Sequence, residues 1–150
     1  MSAFAVVLDT LGDMLEPGLL EPVMARLVHR GPDGQHCWSS GATVMGHRHF
    51  WTTSEDVGEI QPLSSGNLPF HLVFDGRIDN RQELLARLSI PACDESLFSD
   101  ASLVLRAFAI WGEDCLLFLI GEFAFALYDE REHSLFCARD PVGTRTLFFT

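Results

Sequence analysis

The chain has 150 residues, of which 47% are hydrophobic and 21% charged, and its formal net charge is −11 at pH 7. This length and composition exclude a disordered chain and are typical of one globular domain with its own core. The acidic balance argues against a nucleic-acid partner held by a basic patch, and no apolar run approaches the roughly 20 residues that cross a bilayer. We therefore expect no nucleic acid and no membrane among its partners.

The cysteines and histidines argue against a metal site and against a disulfide framework. Four cysteines are scattered without a C-x-x-C pair, at Cys37, Cys93, Cys115 and Cys137. His47 and His49 share one face of a predicted strand, which a metal pair requires but which is far from sufficient. No basic segment precedes the apolar N-terminus, as a signal peptide would require. We predict no metal, a cytoplasmic location and reduced cysteines, with Cys115 and Cys137 buried as small hydrophobes.

The N-terminus carries the first candidate for chemistry. An apolar run from Phe4 to Leu8 predicts a buried strand, and Ser2 stands just before it. Removal of Met1 would leave Ser2 with a free α-amino group. A nucleophilic side chain beside a free amine is the arrangement of N-terminal-nucleophile hydrolases, in which the amine is the general base. The alternative is that Ser2 is an ordinary first residue before a strand.

A helix, two strands and a long loop are predicted next. Apolar residues repeat at helical spacing from Leu19 to Val28, and Gly31-Pro32 ends that helix. Short strands are predicted around Gln35 to Ser39 and around Ala42 to His47. The segment from Trp51 to Leu68 is polar and rich in turn residues, so it predicts a long loop, and loops of this length are usually functional or mobile.

The next elements are one strand and two helices. A strand from Phe70 to Phe74 is predicted to end at Asp75-Gly76. Asn80 and Glu83 have the spacing of a capping box that opens a helix. Ser99-Asp100 opens a longer helix, which a glycine ends. Its inward residues are predicted to be Leu103, Val104, Ala107, Phe108, Ile110 and Trp111.

The order of the elements predicts the fold class. Strands from Phe123 to Tyr128 and from Ser134 to Ala138 read as a hairpin, and Leu147-Phe148-Phe149 reads as the start of a further strand. Helices and strands are segregated rather than strictly alternating, which predicts an α+β domain. Because the strands are continuous apolar runs, both faces of the sheets should be covered, which requires more than two layers.

Four short segments and a long tail together resemble one family. They are HRGPDG at His29 to Gly34, GHRHF at Gly46 to Phe50, FDGRIDN at Phe74 to Asn80, SDASLVL at Ser99 to Leu105, and the tail from Trp111 to Phe149. Their order and spacing resemble the N-terminal glutaminase domain, a type-2 glutamine amidotransferase domain, of class B asparagine synthetases. The resemblance implies an N-terminal-nucleophile (Ntn) hydrolase fold, a four-layer α-β-β-α sandwich.

The resemblance also implies how the domain is used. In the family the domain runs some tens of residues further and then joins an ATP-dependent synthetase domain. Residues 1–150 are therefore interpreted as one incomplete amidotransferase domain that lacks its C-terminal elements and the synthetase domain. No cofactor is expected here, since ATP and Mg belong to the synthetase domain. That domain, in cis or in trans, is the expected partner, and a homodimer is compatible with the resemblance.

Family positions define the candidate site. The catalytic positions are Ser2, where the family has a cysteine, and Asp75 with Gly76, where an asparagine amide and a glycine N–H form the oxyanion hole. The substrate-binding positions are His49, Gly76 and Asp100. The family has an arginine at position 49 that clamps the glutamine α-carboxylate, and Asp100 would hold the substrate ammonium. Gly76 and Asp100 match the family, whereas Ser2, His49 and Asp75 depart from it.

The three departures predict a loss of glutaminase activity. A hydroxyl at Ser2 is far less acidic than a thiol, whose pKa is about 8.5. A mostly neutral imidazole at His49 cannot replace a bidentate guanidinium. A carboxylate at Asp75 would repel the developing oxyanion, and loss of one oxyanion donor alone costs roughly 2.7–4 kcal/mol in the barrier.

Three functions stay open at this point. The first is a non-hydrolytic glutaminase-like domain that structurally supports an asparagine synthetase-like amide ligase, as in β-lactam synthetases or lasso-peptide cyclases. The second is a fragment of a glutamine-hydrolysing asparagine synthetase, and the third is an amidohydrolase that uses Ser2 on another substrate. Each site residue also has a plain reading: a strand residue for His49, a turn for Asp75-Gly76 and a helix start for Asp100. HRGPDG and RDPVG are interpreted as turns that determine the fold.

Overall fold

Two antiparallel sheets organise the structure, a computed structural model that describes residues 1–64 and 66–150, the side chain of Ala92 excepted. In the first sheet the strand order is β1-β3-β2, with β1 Ala3–Leu8, β2 Gly34–Ser40 and β3 Thr43–His49. In the second sheet the order is β4-β5-β6-β7, with β4 Leu63–Ser64, β5 Phe70–Ile78, β6 Gly121–Asp129 and β7 Ser134–Arg139. All neighbouring strands in both sheets are antiparallel.

Helices cover the outer face of each sheet. The α-helices are α1 Glu21–Arg26, α2 Arg81–Arg87 and α3 Asp100–Trp111, and the 3-10 helices are Pro17–Leu20, Ala92–Leu97 and Gly112–Phe118. One apolar core, which includes Leu20 and Met24, lies between α1 and the first sheet. A larger core, which includes Leu84 and Leu103, lies between the second sheet and helices α2 and α3.

A third core lies between the two sheets. Met45 from the first sheet and Val73 and Tyr128 from the second are buried there. Along β1 the side chains alternate, so that Phe4 and Val6 pack in this inter-sheet core while Ala5 and Val7 pack toward α1. Three cores between four layers confirm the predicted α+β class and its α-β-β-α sandwich.

Several local predictions are wrong for identifiable physical reasons. The first helix is short because Pro17 and Pro22 lack the N–H donor of an α-helix, and a 3-10 helix precedes α1. The Asn80 side chain does not cap α2. Its Nδ2 donates instead to the Phe118 carbonyl oxygen at 3.0 Å, and its Oδ1 accepts from the Ile120 N–H at 3.0 Å.

The C-terminal segment also differs from the prediction. Residues 147–149 belong to no strand among the described residues, and Phe148 and Phe149 are exposed. An apolar run forms a strand only where another strand pairs with it, and nothing pairs with this one. Cys137 and Ile110 are exposed, although both were predicted to be buried, whereas Cys115 is buried as predicted.

Candidate functional site

A cavity of about 140 Å³ lies at one end of the inter-sheet layer, where β1 begins and β3 ends. The residues assigned to the site from the sequence all line it, namely Ser2, His49, Asp75, Gly76 and Asp100. The structure therefore brings together positions that are spread over nearly a hundred residues of the chain.

Strand alternation explains why these side chains meet. The register pairs Ala3 of β1 with Arg48 of β3, which places Ser2 opposite His49 on the face that also carries Phe4. Asp75 shares the inter-sheet face of β5 with Val73, two residues before it. Arg48 points the other way, and its Nε donates to the Met24 carbonyl oxygen of α1 at 2.9 Å.

The Ser2 hydroxyl is held by the backbone of the first sheet. Its Oγ accepts a hydrogen bond from the Phe50 N–H at 3.2 Å. Met1 precedes it, and the Met1 α-amine lies within the electrostatic reach of Asp75. Burial lowers the pKa of this amine, while the Asp75 charge raises it. In the structure this amine is on Met1, one residue before Ser2.

Two histidines form a buried hydrogen-bonded chain beside Ser2. The Nε2 of His47 lies 3.1 Å from the Phe74 carbonyl oxygen, and its Nδ1 lies 2.9 Å from the Nδ1 of His49. A carbonyl only accepts, so His47 carries its proton on Nε2. Burial, with His49 as a second cause, lowers the pKa of His47 to about 3, so His47 is neutral and its Nδ1 accepts from His49.

This chain fixes the tautomer of His49. Because His49 donates from Nδ1, its Nε2 keeps a lone pair. Burial lowers the pKa of His49, and the nearby His36 lowers it further. Position 49 therefore presents a neutral hydrogen-bond acceptor at neutral pH, and it offers no positive charge to a ligand carboxylate.

Asp75 is a buried carboxyl beside an arginine. Its Oδ2 lies 3.8 Å from the Nη1 of Arg145, which is too long for a hydrogen bond. Burial raises the pKa of Asp75, while Arg145, Arg30, the N-terminal amine and the Ser2 backbone N–H act against this rise. The prediction that β5 ends in a turn at Asp75-Gly76 is wrong, because the strand continues to Ile78.

Gly76 has a structural reason to be glycine. A Cβ on Gly76 would lie 2.2 Å from the Glu122 carbonyl oxygen and 2.6 Å from the Phe123 Cα, and its φ is +154°. No side chain fits where β5 and β6 approach this closely. This requirement holds whatever the cavity binds.

Asp100 already has partners. Its Oδ1 accepts from the Nη1 of Arg81 at 2.7 Å, and its Oδ2 accepts from the Ile78 N–H at 2.7 Å. It follows Ser99, which caps α3 by accepting from the Ser102 N–H. Burial raises the pKa of Asp100, and the bonds from Ile78 and Arg81 oppose that rise.

Two parts of the cavity wall were not assigned from the sequence. One is the loop after β3, from which Gln61 accepts a bond from the Phe74 N–H at 2.7 Å and donates to Glu59 at 3.0 Å. The other is Arg145, delivered by the RDPVG turn that was interpreted as purely structural. The length of the loop after β3 could have indicated a role in the site. No local feature of the sequence indicated a role for Arg145.

The turn that carries Arg145 is held by hydrogen bonds to the Asp140 carboxylate. Both oxygens of the buried Asp140 carboxylate accept backbone bonds, from the Thr144 N–H at 2.9 Å and the Arg145 N–H at 3.0 Å. Burial disfavours the charged form, but the backbone donors prevail and hold the pKa of Asp140 at about 2.

The cavity lining offers hydrogen-bonding and charged groups. Among the described residues, the structure contains no group of three or more His, Cys, Asp or Glu placed to hold a metal ion. It also contains no helix, within those residues, that is long and apolar enough to cross a bilayer. The cavity combines two hydroxyls, two neutral imidazoles, several carboxyls and one guanidinium, so it can bind a small polar molecule.

Comparison with known proteins gives a consistent result. The sequence model of the glutamine amidotransferase domain matches residues 1–150. Asparagine synthetase [glutamine-hydrolyzing] 3 of Bacillus subtilis (strain 168) is 31% identical over 127 residues, which cover 83% of this chain and 20% of that protein. Amidase chry2 of Gibberella zeae is 32% identical over 141 residues, covering 87% of this chain and 20% of that protein. The chain thus spans about a fifth of the length of these relatives.

A solved structure supports the fold. Glutamine phosphoribosylpyrophosphate amidotransferase from B. subtilis, complexed with ADP and GMP, superposes with a TM-score of 0.70 at 20% sequence identity. The match covers 95% of this chain and 38% of that one. At this identity the likeness concerns the fold alone.

Proposed function

This chain belongs to the glutamine amidotransferase domain family, and on that premise we propose that it is a member in which glutamine hydrolysis has been lost. It would be the glutaminase-like part of an asparagine synthetase-like, ATP-dependent amide ligase of the β-lactam synthetase or lasso-peptide cyclase type. Its role would be to support the synthetase half structurally.

The composition of the cavity supports this proposal. At position 75, where an amide should donate to the oxyanion, there is a buried carboxyl. At position 49, where a guanidinium should hold the substrate carboxylate, the hydrogen-bonded pair with His47 keeps the imidazole neutral. At position 2 a hydroxyl replaces the thiol. The candidate residues line one cavity, whereas three of the groups that the family resemblance assigns to glutamine chemistry differ in charge or acidity.

The proposed ligase does not need ammonia from glutamine. In such a protein the synthetase half, with ATP and Mg, activates a carboxylate, and an amine already present on the substrate attacks it. The domain described here would contribute packing to that half, in cis or in trans. A reducing, cytoplasmic compartment is part of the proposal, and the four unpaired cysteines are compatible with it.

Two other functions have an observation in their favour. Several relatives at 30–37% identity are named as glutamine-hydrolyzing asparagine synthetases, which favours a fragment of such an enzyme. Ser2 lies opposite His49, whose neutral imidazole keeps a lone pair on Nε2. This arrangement favours an amidohydrolase with Ser2 as its nucleophile. Both need a functional oxyanion site, and the carboxyl of Asp75 counts against each.

Ammonia release tests the proposal. The chain is incubated with L-glutamine, and ammonia is measured together with the mass of the N-terminus. We expect no ammonia above the uncatalysed background, whether or not Met1 has been removed. Steady turnover of glutamine would refute the proposal. A retained Met1 would exclude a Ser2 hydrolase that uses its own α-amine as the base.

A further inference from the structure

The guanidinium of Arg145 lines the cavity with N–H donors that the protein does not use. Its Nε and Nη1 are buried and form no hydrogen bond to any described residue. The side chain is 15% exposed, so bulk water does not replace the missing acceptors. The Asp75 oxygen at 3.8 Å attracts the charge without forming a hydrogen bond. A buried guanidinium in this state favours a ligand that supplies acceptors.

The other acidic groups around the cavity are already engaged. Asp100 is paired with Arg81, and Glu59 accepts bonds from Ser99 and Gln61. Asp56 accepts bonds from Thr52 and Thr53 within its own loop, the Thr53 N–H at 3.2 Å.

Of the cavity-lining groups in the part of the chain that the structure describes, three at one end have no hydrogen-bonded partner of opposite charge. They are the Arg145 guanidinium, the Asp75 carboxyl and the Met1 amine, and each alters the pKa of at least one of the others. His47 and His49 add no charge, for the reasons given above. Two cations therefore face one carboxyl at this end, so the balance is cationic, and it is more so when Asp75 is protonated.

We propose that the cavity binds a small organic carboxylate through Arg145, with Asp75 as the internal acid that the ligand displaces from the guanidinium. A carboxylate matches the planar guanidinium, which can donate two parallel N–H···O bonds to it. A dianion such as phosphate would meet stronger repulsion from Asp75 than a monoanion would. The backbone bonds to Asp140 hold the turn in place, so little freedom is lost when the ligand binds.

The proposal reverses the polarity that the family resemblance implies. There the cation that holds a carboxylate stands at position 49, which is a neutral imidazole in this chain. Here the cation is Arg145, beside Asp75 and the N-terminal amine. A ligand would place its carboxylate at the Ser2 end of the cavity, where the family places the amide that is cleaved. The inference rests on the proposed loss of hydrolysis at this site.

The test compares propionate with propionamide, which has nearly the same shape but no charge. Binding to the 150-residue chain is followed by NMR of the Arg145 Nε and of the indole N–H of Trp51, a residue that also lines the cavity. We expect propionate to give saturable shifts at both groups and propionamide to bind at least about tenfold more weakly. Equal binding of the two compounds, or no saturable shift with propionate, would overturn the proposal.

Four variants make the test specific. Arg145→Met should weaken propionate binding at least about tenfold, Arg145→Lys less, and Arg139→Met, which alters an arginine outside the cavity lining, not at all. Asp75→Asn should strengthen binding several-fold, because the internal competitor loses its charge. Circular dichroism establishes that each variant is folded, and Arg145→Lys serves if Arg145→Met does not fold. Unchanged binding in Arg145→Met, or weaker binding in Asp75→Asn, would contradict the inference.

The same samples are assayed for ammonia from glutamine. If propionate does not bind and no ammonia appears, the carboxylate site is wrong and the proposed loss of hydrolysis stands. If ammonia is released while propionate binds at Arg145, the site stands and the proposed function is wrong.

Discussion

The Nδ1 atoms of His47 and His49 lie 2.9 Å apart in the interior of the sandwich. Only one of the two can carry a proton, and the bond from His47 to the Phe74 carbonyl oxygen decides that His49 donates. The pair thus keeps an uncharged imidazole at the position where the family resemblance implies a guanidinium. Burial of this pair has a measurable consequence for stability.

Protonation of His47 should destabilise the fold in acid. Its pKa falls from 6.5 to about 3 on folding, so between these values the unfolded chain binds more protons than the folded one. The free energy of unfolding should therefore fall as the pH drops through this window, by up to about 1.4 kcal/mol per pH unit. Denaturant titrations give the free energy of unfolding at pH 7 and at pH 4.5. The difference between these two values should be smaller for His47→Gln, which can keep the bond to Phe74, than for the unmodified chain. An unchanged difference would contradict the assignment.

Asp75→Asn should stabilise the protein at neutral pH. Burial raises the folded-state pKa of Asp75 above 3.8, so the folded chain holds its proton longer than the unfolded one. The free energy of unfolding then falls as the pH rises from 3.8 through the folded-state pKa, and the loss persists above it. Asparagine removes this loss. Thermal unfolding should give Asp75→Asn a higher Tm than the unmodified chain at pH 7 and the same Tm at pH 3. A lower Tm of the variant at pH 7 would show that attraction to Arg145 outweighs burial.

Gly76→Ala should be among the most damaging single changes in the chain. The added methyl would lie 2.2 Å from the Glu122 carbonyl oxygen, and the two paired strands cannot separate without breaking their hydrogen bonds. We expect a loss above about 3 kcal/mol, or failure to fold. Gly66→Ala is the matched control, since nothing lies within 4 Å of its Cβ position. Similar denaturation midpoints for the two variants would contradict the account.

Asp100→Ala should cost stability even without any ligand. It removes one of the partners of the Arg81 guanidinium and leaves the Ile78 N–H without its acceptor, for an expected loss of about 1–3 kcal/mol in urea unfolding. Asp100→Asn can still accept from Ile78 and should lose less. Asp13→Ala, at an exposed position, is the control. If Asp100→Ala were as stable as this control, its bonds would have no structural role.

Local pattern and resemblance predicted the sandwich and the placement of the site, for different reasons. Alternation along β1, β3 and β5 is a local property, so it predicts which residues of one strand share a face. That Ser2, His49 and Asp75 belong to one site was implied by the family resemblance. The order and spacing of the segments carried the resemblance, and the resemblance implied the roles of these positions. The predicted strand ends were less accurate. β5 continues through Gly76 beside the closely packed β6, and this pairing is a tertiary constraint that the local sequence does not show.

The partners of the site residues could not be predicted, because they come from distant parts of the chain. Arg81 at the start of α2 donates to Asp100 at the start of α3. Arg145 lies near Asp75 because the turn after β7 brings it there. Both arginines change the charge of the cavity. An assignment based on family positions alone therefore described the cavity's anions and missed its cation.

We propose that the residues at three positions, Ser2, His49 and Asp75, leave this domain without glutaminase activity. The most direct measurement is ammonia release from L-glutamine by the unmodified chain and by the triple variant Ser2→Cys, His49→Arg, Asp75→Asn. We predict no release above background for the unmodified chain and for each single variant, and measurable turnover for the triple variant once Met1 has been removed. Steady ammonia release by the unmodified chain would contradict the claim.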